Sequence, residues 1–425
     1  MEVKTFNLLS DIFSRDGRLY ERLVKRFLQT RFSVGKLQLH EDDKVLSFGS
    51  SDGPEATIIV HNKLFYKLCI LNGDIGFGES YELGYWSSPN VVAVFKWIIS
   101  NVEDSGIMSG SQDKVNWMGI LQRAKRIKHK LRSNSKSGSL RNISQHYDLN
   151  NDFFELFLDE TMTYSCGIFL AADSNLQQAQ EAKYEALCRD LDLQKDDEVL
   201  EVGCGWGGFA SYAAKNYGCR VHGITISQEQ LNYAQKRIKD EGLCHLVTLE
   251  FLDYRDLKGE FDKIVSIEMI EAVGDDFLDQ YFKTLTKLLR PEGVLTIQAI
   301  TSPDSRYDEF KSSVDWIQTY IFPGSLLPSI GRMNQAINKV SDLHLVNARD
   351  IGPHYAKTLR IWRERFFNNI KEIKKLSFDD RFIRRWDYYL SYCEAAFISR
   401  NISDVQLTWL RPNNKSYKLG DYAAE

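Results

Sequence analysis

The chain has 425 residues, 43% of them apolar and 26% charged, enough for two or three domains with sizeable cores. Its net charge of −4 argues against a general nucleic-acid binder. The seven cysteines are dispersed with no C-x-x-C pair, an odd set that reads as reduced thiols in a cytosolic compartment and not as a disulfide scaffold.

In chain order, residues 15–32 carry Leu, Val and Phe at helical spacing among Arg and Lys. Short runs at Lys44–Phe48, Ala56–Val60 and Leu68–Leu71 predict strands, and the glycine cluster Gly73–Tyr81 predicts a turn between strand and helix. No G-K-[ST] follows these glycines, so they are not a phosphate loop. This first domain, residues 1–115, is expected to be a smaller α+β unit without catalytic residues. Residues 1–11 lack a signal peptide's apolar core, and no run approaches the ~18 apolar residues of a membrane span. A cytoplasmic protein is expected.

Between Trp117 and Arg141, eight Lys and Arg residues occur without one acid. Trp117, Leu121, Ala124, Ile127 and Leu131 share one helical face with cations around it. This pattern suits an anionic membrane surface, and a solvated linker is the alternative. Nucleic acid is not expected, because no aromatic residues are interleaved with the cations.

Residues 142–425 form the expected catalytic domain. Strands are predicted at Glu198–Val202, Arg220–Thr225, Val247–Phe251, Phe261–Ile267, Val294–Ile300, Leu343–Ala348 and Val405–Leu410. Helices lie between them, at Gln228–Glu241 and Asp276–Leu289 among others. This alternation predicts a doubly wound, seven-stranded α/β fold of the methyltransferase type. The first strand runs into Gly203-Cys204-Gly205-Trp206-Gly207-Gly208, a strand–turn–helix element that presents backbone to a nucleotide. Its spacing alone fits a dinucleotide or S-adenosylmethionine. The second strand ends His222-Gly-Ile-Thr225 without the acid that a nicotinamide ribose needs. Glu201 precedes the glycines and Asp253 follows the third strand, where it could accept from an adenine amino group. These placements favour S-adenosylmethionine.

Several stretches together resemble the cyclopropane-fatty-acyl-phospholipid synthase family, which includes the mycolic acid cyclopropane synthases. They are His146–Phe153, Tyr164-Ser-Cys166, Glu201–Gly207, Gly223–Gln230 and Ser266-Ile-Glu-Met-Ile-Glu-Ala-Val-Gly274. The resemblance covers essentially the whole chain. It implies transfer of a methylene from S-adenosylmethionine to the double bond of an unsaturated phospholipid acyl chain, giving a cyclopropane through a carbocation. It implies that Tyr164 and Ser165 contact the methionine end and that Glu201, Gly203 and Gly205 line the cofactor turn. Thr225 and Gln230 would reach the ribose, with Asp253 and Tyr254 beside the adenine. A bicarbonate ion acting as base would be held by Cys166, Glu271, the Ile300 backbone and Tyr355. No metal is implied. The location would be cytoplasmic, against the inner membrane face, and a homodimer is compatible with the family.

An alkene is a weak nucleophile, so positioning must supply much of the acceleration, and the cation needs a dry site with aromatic faces. A proton must then leave for the ring to close. Cys166 has no neighbouring base in the sequence and is expected to shape the site. Cys393 matches a cysteine frequent in the family and is a sixth catalytic candidate beside Cys166, Glu271, Gln298, Ile300 and Tyr355, although its helical setting among Leu390, Ala396 and Phe397 favours packing. Two departures bear on the product. The family's His-x-Ile reads Gln298-Ala-Ile300 here, and its Glu-His-Val-Gly reads Glu271-Ala-Val-Gly274. Gln298 can hydrogen-bond an anion but cannot take up a proton. A base elsewhere would favour a methyl- or methylene-branched chain. Residues 302–340, rich in Tyr, Trp and Phe, are expected to form a lid over the acyl chain. The reading from another class is a lipid-binding protein with a degenerate cofactor site, which the intact glycines and Glu201 oppose.

Overall fold

A computed structural model describes residues 18–50, 52–102 and 150–417. The basic segment 117–141 and residues 146–149 of the His146–Phe153 stretch lie outside the described residues. The chain divides into two compact units that cut across its linear order. Residues 308–321 and 377–401 group with the N-terminal residues, and the remainder of 132–425 makes the second unit. The aromatic stretch 302–340 is thereby shared between the two.

In the first unit, strands β1 (Lys36–Glu41), β2 (Lys44–Gly49), β3 (Glu55–Val60) and β4 (Trp86–Ser87) form a sheet of order β2-β1-β3-β4. Leu37, Leu39 and Glu41 alternate inward along β1, the two-residue period of a half-buried strand. The expected strand at Leu68–Leu71 is instead helical, within Leu64–Glu82. Only Gly73, at φ 59° and ψ −132°, interrupts that helix, so the predicted turn is a kink. Short apolar runs do not separate strand from buried helix by pattern alone. The second glycine-dependent feature is Gly78, where any Cβ would collide with the Trp316 indole, itself 1% exposed. Helix Asp380–Ile398 adds Tyr388 and Tyr392, whose rings lie 4.8 and 5.0 Å from Phe95.

The second unit holds the expected seven-stranded sheet. Its strands are β5 (Glu198–Val202), β6 (Arg220–Thr225), β7 (Val247–Phe251), β8 (Phe261–Ile267), β9 (Leu289–Thr301), β10 (His344–Asp350) and β11 (Ser403–Leu410). Their order is β10-β11-β9-β8-β5-β6-β7. Neighbours from β9 to β7 are parallel, and β11 runs antiparallel to both β9 and β10. Two apolar layers cover the sheet. One centres on Tyr281, Phe282, Ile337 and Trp409, and the other on Leu187, Phe209, Ala213 and Ile238. Helix Leu176–Asp190 starts with a capping box from Asn175 and Gln178, and helix Gln228–Asp240 is capped by Ser227. The strand order reverses between β5 and β8, which sets a crevice at the carboxyl ends of those two strands.

Candidate functional site

The cofactor turn leaves β5 at that crevice. Gly203, Gly205 and Gly207 have φ of 86°, 50° and 80°, the left-handed region that favours glycine. Gly203 and Cys204 both donate their N–H to the Ile224 carbonyl, tying the turn to β6. A Cβ at Gly203 would lie 2.8 Å from the Met269 side chain, whereas one at Gly205 would meet nothing within 4 Å. The Arg237 guanidinium donates to the Trp206, Thr161 and Glu160 carbonyls at 3.1, 2.6 and 2.7 Å, joining this turn to the 159–166 loop.

Glu201 is 3% exposed, and its Oε2 has no hydrogen-bond partner. Burial pushes its carboxyl well above the ordinary carboxylate range. At the end of β6, the Thr225 hydroxyl donates to Gln230 Oε1 at 3.1 Å. Asp253 is engaged by Arg255 through Nε at 2.8 Å and Nη2 at 2.5 Å, and Tyr254 packs edge-on against Tyr281. Tyr164 lies among the rings of Phe154, Phe157, Phe322 and Trp362, with centroids 5.2–6.5 Å away. Ser165 is held by buried Lys183, whose Nζ donates to Ser165 Oγ at 2.9 Å. Burial lowers Lys183 to about 8 against the pull of the surrounding acids. The residues fit S-adenosylmethionine: open space over Gly205, an unpartnered buried carboxyl oxygen on Glu201, and an aromatic cluster around Tyr164.

A second cluster lies where the end of β8 meets the last residues of β9 and the first of β11. Glu268, at φ 48°, follows β8 and donates its N–H to the Gln298 carbonyl at 2.8 Å. A non-glycine residue in that conformation costs about 1–2 kcal/mol, which the surroundings must offset. The Glu268 carboxylate accepts three hydrogen bonds. They come from the Cys166 N–H at 2.8 Å, Gln298 Nε2 at 2.9 Å and the Tyr355 hydroxyl at 2.6 Å. Gln298 Nε2 also donates to Asp404 Oδ2 at 3.1 Å. The Ile300 N–H donates to Glu271 Oε1 at 2.6 Å, while Glu271 Oε2 is buried without a partner. Burial, reinforced by the Glu268 charge, raises Glu271 to about 8. Asp404 is fully buried and held well above its usual range by burial and the adjacent Glu268.

The structure thus gathers Cys166, Glu271, Gln298, Ile300 and Tyr355, five of the six catalytic candidates. Cys393 lies in the first unit, on the helix with Tyr388 and Tyr392. Cys166 is buried, and burial with nearby Asp404 and Glu268 raises its thiol well above 9.0, so no thiolate nucleophile is available. Bicarbonate does not fit this donor set. The Cys166, Tyr355 and Ile300 donors that would hold it are engaged by Glu268 and Glu271. Sequence reasoning missed Glu268, Asp404 and Lys183. Glu268 had a signal, because it stands three residues before Glu271 in the stretch that carried the resemblance.

Comparison with known proteins places the chain in one enzyme family. A family model described as mycolic acid cyclopropane synthetase matches residues 134–407. Tuberculostearic acid methyltransferase UfaA1 of Mycobacterium tuberculosis is 39% identical over 347 residues, covering 80% of this chain and 79% of that protein. Cyclopropane-fatty-acyl-phospholipid synthase of Escherichia coli is 37% identical over 359 residues, covering 84% of this chain and 88% of that one. The crystal structure of mycolic acid cyclopropane synthase CmaA1 complexed with SAH and CTAB superposes with a TM-score of 0.59 at 31% identity. It covers 64% of this chain and 97% of that one.

Proposed function

Because the chain belongs to the mycolic acid cyclopropane synthetase family of S-adenosylmethionine-dependent methyltransferases, we propose that it methylates the double bond of an unsaturated phospholipid acyl chain, with Glu268 accepting the proton released afterwards. The observation that carries this reading is the Glu268 carboxylate, which takes the donors expected for bicarbonate.

Bound S-adenosylmethionine supplies an electrophilic sulfonium methyl. The alkene π pair forms the new C–C bond as the S–CH3 bond breaks, and a positive charge is left on the acyl chain. Tyr164 and the buried rings of Phe154, Phe157 and Trp362 packed around it keep the site apolar and exclude water. The Glu268 oxygens, each already holding a donor, are poorer nucleophiles toward the cation and remain able to receive a proton. A 1,2-hydride shift moves the charge to the methylated carbon. A methyl C–H bond then breaks, its proton passing to Glu268 and its electron pair forming a C=C bond. The product is a methylene-branched chain.

Moving the base from a bound ion to a fixed side chain favours this product over the ring. A second reading, the cyclopropane, is supported by Glu271 Oε2, an unpartnered polar atom beside the Ile300 N–H in the same cluster. A phospholipid in a membrane leaflet is the proposed acceptor, by analogy with the name of the Escherichia coli relative. Among the described residues, no helix is long and apolar enough to cross a membrane.

The test uses Glu268→Gln with phospholipid vesicles and methyl-deuterated cofactor. Turnover is expected to fall by about 100-fold or more, with cofactor affinity by calorimetry little changed. Removing dissolved carbon dioxide should leave the wild-type rate intact. Wild-type product should carry two of three deuteriums and an exocyclic-alkene resonance. A fully active Glu268→Gln, or a rate that collapses without bicarbonate, overturns the reading. A cyclopropyl resonance selects the ring instead.

A further inference from the structure

Gln298 replaces the histidine of the family pattern, and an amide helps Glu268 only if its N–H end faces the acids. The two ends of an amide are opposite in hydrogen-bonding character. Its orientation is fixed from a distance by a row of side chains across three strands. Arg349 on β10 stands opposite Gln406 on β11, and Gln406 stands opposite Gln298 on β9. Arg349 donates to Gln406 Oε1 at 2.8 Å, and Gln406 Nε2 donates to Gln298 Oε1 at 3.0 Å. Gln298 Nε2 is left to donate to Glu268 and Asp404. At its outer end Arg349 is clamped by Asp190, with both contacts at 2.9 Å.

The direction of the row follows from its first member. A guanidinium has no acceptor atom, so it can meet only the oxygen end of Gln406. That leaves the nitrogen end of Gln406 for the oxygen end of Gln298, and the nitrogen end of Gln298 for the carboxyls. Gln298 and Gln406 are both 0% exposed, so water cannot substitute for a reversed amide.

We propose that Arg349 and Gln406 are positioning residues that set the Gln298 amide, so that its N–H end bridges Glu268 and Asp404 and holds them as a carboxyl pair sharing one proton. The inference rests on Glu268 as the proton acceptor. Two carboxyls bridged by one NH2 group in a buried site do not both ionise. Glu268 accepts from three donors, whereas Asp404 Oδ1 is buried without a partner, so the proton sits on Asp404. The charged or titratable groups facing the pair are Glu271, Cys166, Tyr355 and Lys183. Holding this proton on Asp404 leaves one negative charge on Glu268 to receive another.

The experiment compares Gln406→Glu, Arg349→Met and Arg349→Lys as full-length protein. A carboxylate at 406 accepts from Arg349 and has no N–H for Gln298, so it reverses that amide and points Oε1 at the acids. Turnover of Gln406→Glu is expected to drop by about tenfold or more, with cofactor affinity within about twofold. Arg349→Met should show a smaller loss in the same direction. Arg349→Lys, which keeps a donor-only group, should restore most of it.

A second readout is the infrared C=O band of a protonated buried carboxyl, identified as the component that Asp404→Asn removes. Its pH midpoint should move up in Gln406→Glu, because the ionised pair loses a donor. A folded Gln406→Glu with wild-type turnover and an unmoved midpoint overturns the proposal. If Gln406→Glu does not fold, the same two measurements on Arg349→Met and Arg349→Lys decide it, and equal behaviour of the two overturns it. Full activity of Glu268→Gln would instead refute the functional reading, and the infrared midpoint would still test the relay.

Discussion

Glu271→Gln is expected to change how stability depends on pH. Glu271 is buried, its Oε2 lacks a partner, and the Glu268 charge lies nearby, which together raise it from 4.5 to about 8. An acid whose folded value lies above its unfolded value binds more protons in the folded state between the two. Stability from this group is therefore whole below about 4.5 and is lost as pH rises toward about 8. At 1.36 kcal/mol per pKa unit, the loss between about pH 5 and about pH 8 is on the order of 3 kcal/mol. Glutamine does not ionise, and it keeps an oxygen for the Ile300 N–H and a donor for the Oε2 position. The variant should gain on the wild type by about 3 kcal/mol across that range. Denaturant unfolding of both proteins at the two pH values measures it. A difference that stays constant with pH would show that Glu271 is not held protonated, and the account of the site's charge would fail.

Two further outcomes follow from the cofactor turn. Gly203→Ala should destabilise the fold by about 2 kcal/mol or more, because a positive φ is combined with a clash on Met269. Gly205→Ala should cost only about 1–2 kcal/mol yet weaken cofactor binding strongly, since its Cβ enters the open space; thermal melts and calorimetry separate the two effects. Arg237→Met should lower both melting temperature and cofactor affinity, because three backbone carbonyls lose a charged donor worth about 1.5–3 kcal/mol. Unchanged affinity in a folded Arg237→Met would show that the 159–166 loop keeps its place without it.

The sheet of the second unit was legible because its strands are short apolar runs punctuated by glycines and helices, each near a period the residues display. The glycine turn was legible for the same reason, and with it Glu201, Gly203 and Gly205. Leu68–Leu71 was not, because four apolar residues satisfy strand and buried helix equally. The cofactor side of the site comes from local motifs, whereas the acid cluster is assembled from β8, β9 and β11 across more than 130 residues. Asp404, Gln406 and Thr408 alternate with Val405, Leu407 and Trp409, a pattern that normally means one face in water. Here nearly the whole of β11 is buried, and its polar face meets Gln298 and Thr296. No feature of the β11 sequence distinguishes a wet face from a buried polar row.

That buried row also bears on why glutamine stands at 298. A neutral imidazole has one donor and one acceptor. It could accept from Gln406 Nε2 and then donate to Glu268 or to Asp404, but not to both, so the bridge between the acids would be lost. A charged imidazolium would turn an N–H toward the Gln406 N–H, which Arg349 holds in place through the other end of the amide. The primary amide alone supplies two hydrogens on one atom and an acceptor on the next. The glutamine at 298, the glutamine at 406 and the fixed carboxylate at 268 therefore form a single solution. A site that carries its own anion needs a group that bridges acids, whereas a site that binds an ion from solution needs one that can carry charge. On the proposed mechanism, the glutamine at 298 is what lets the Glu268 side chain serve as the base.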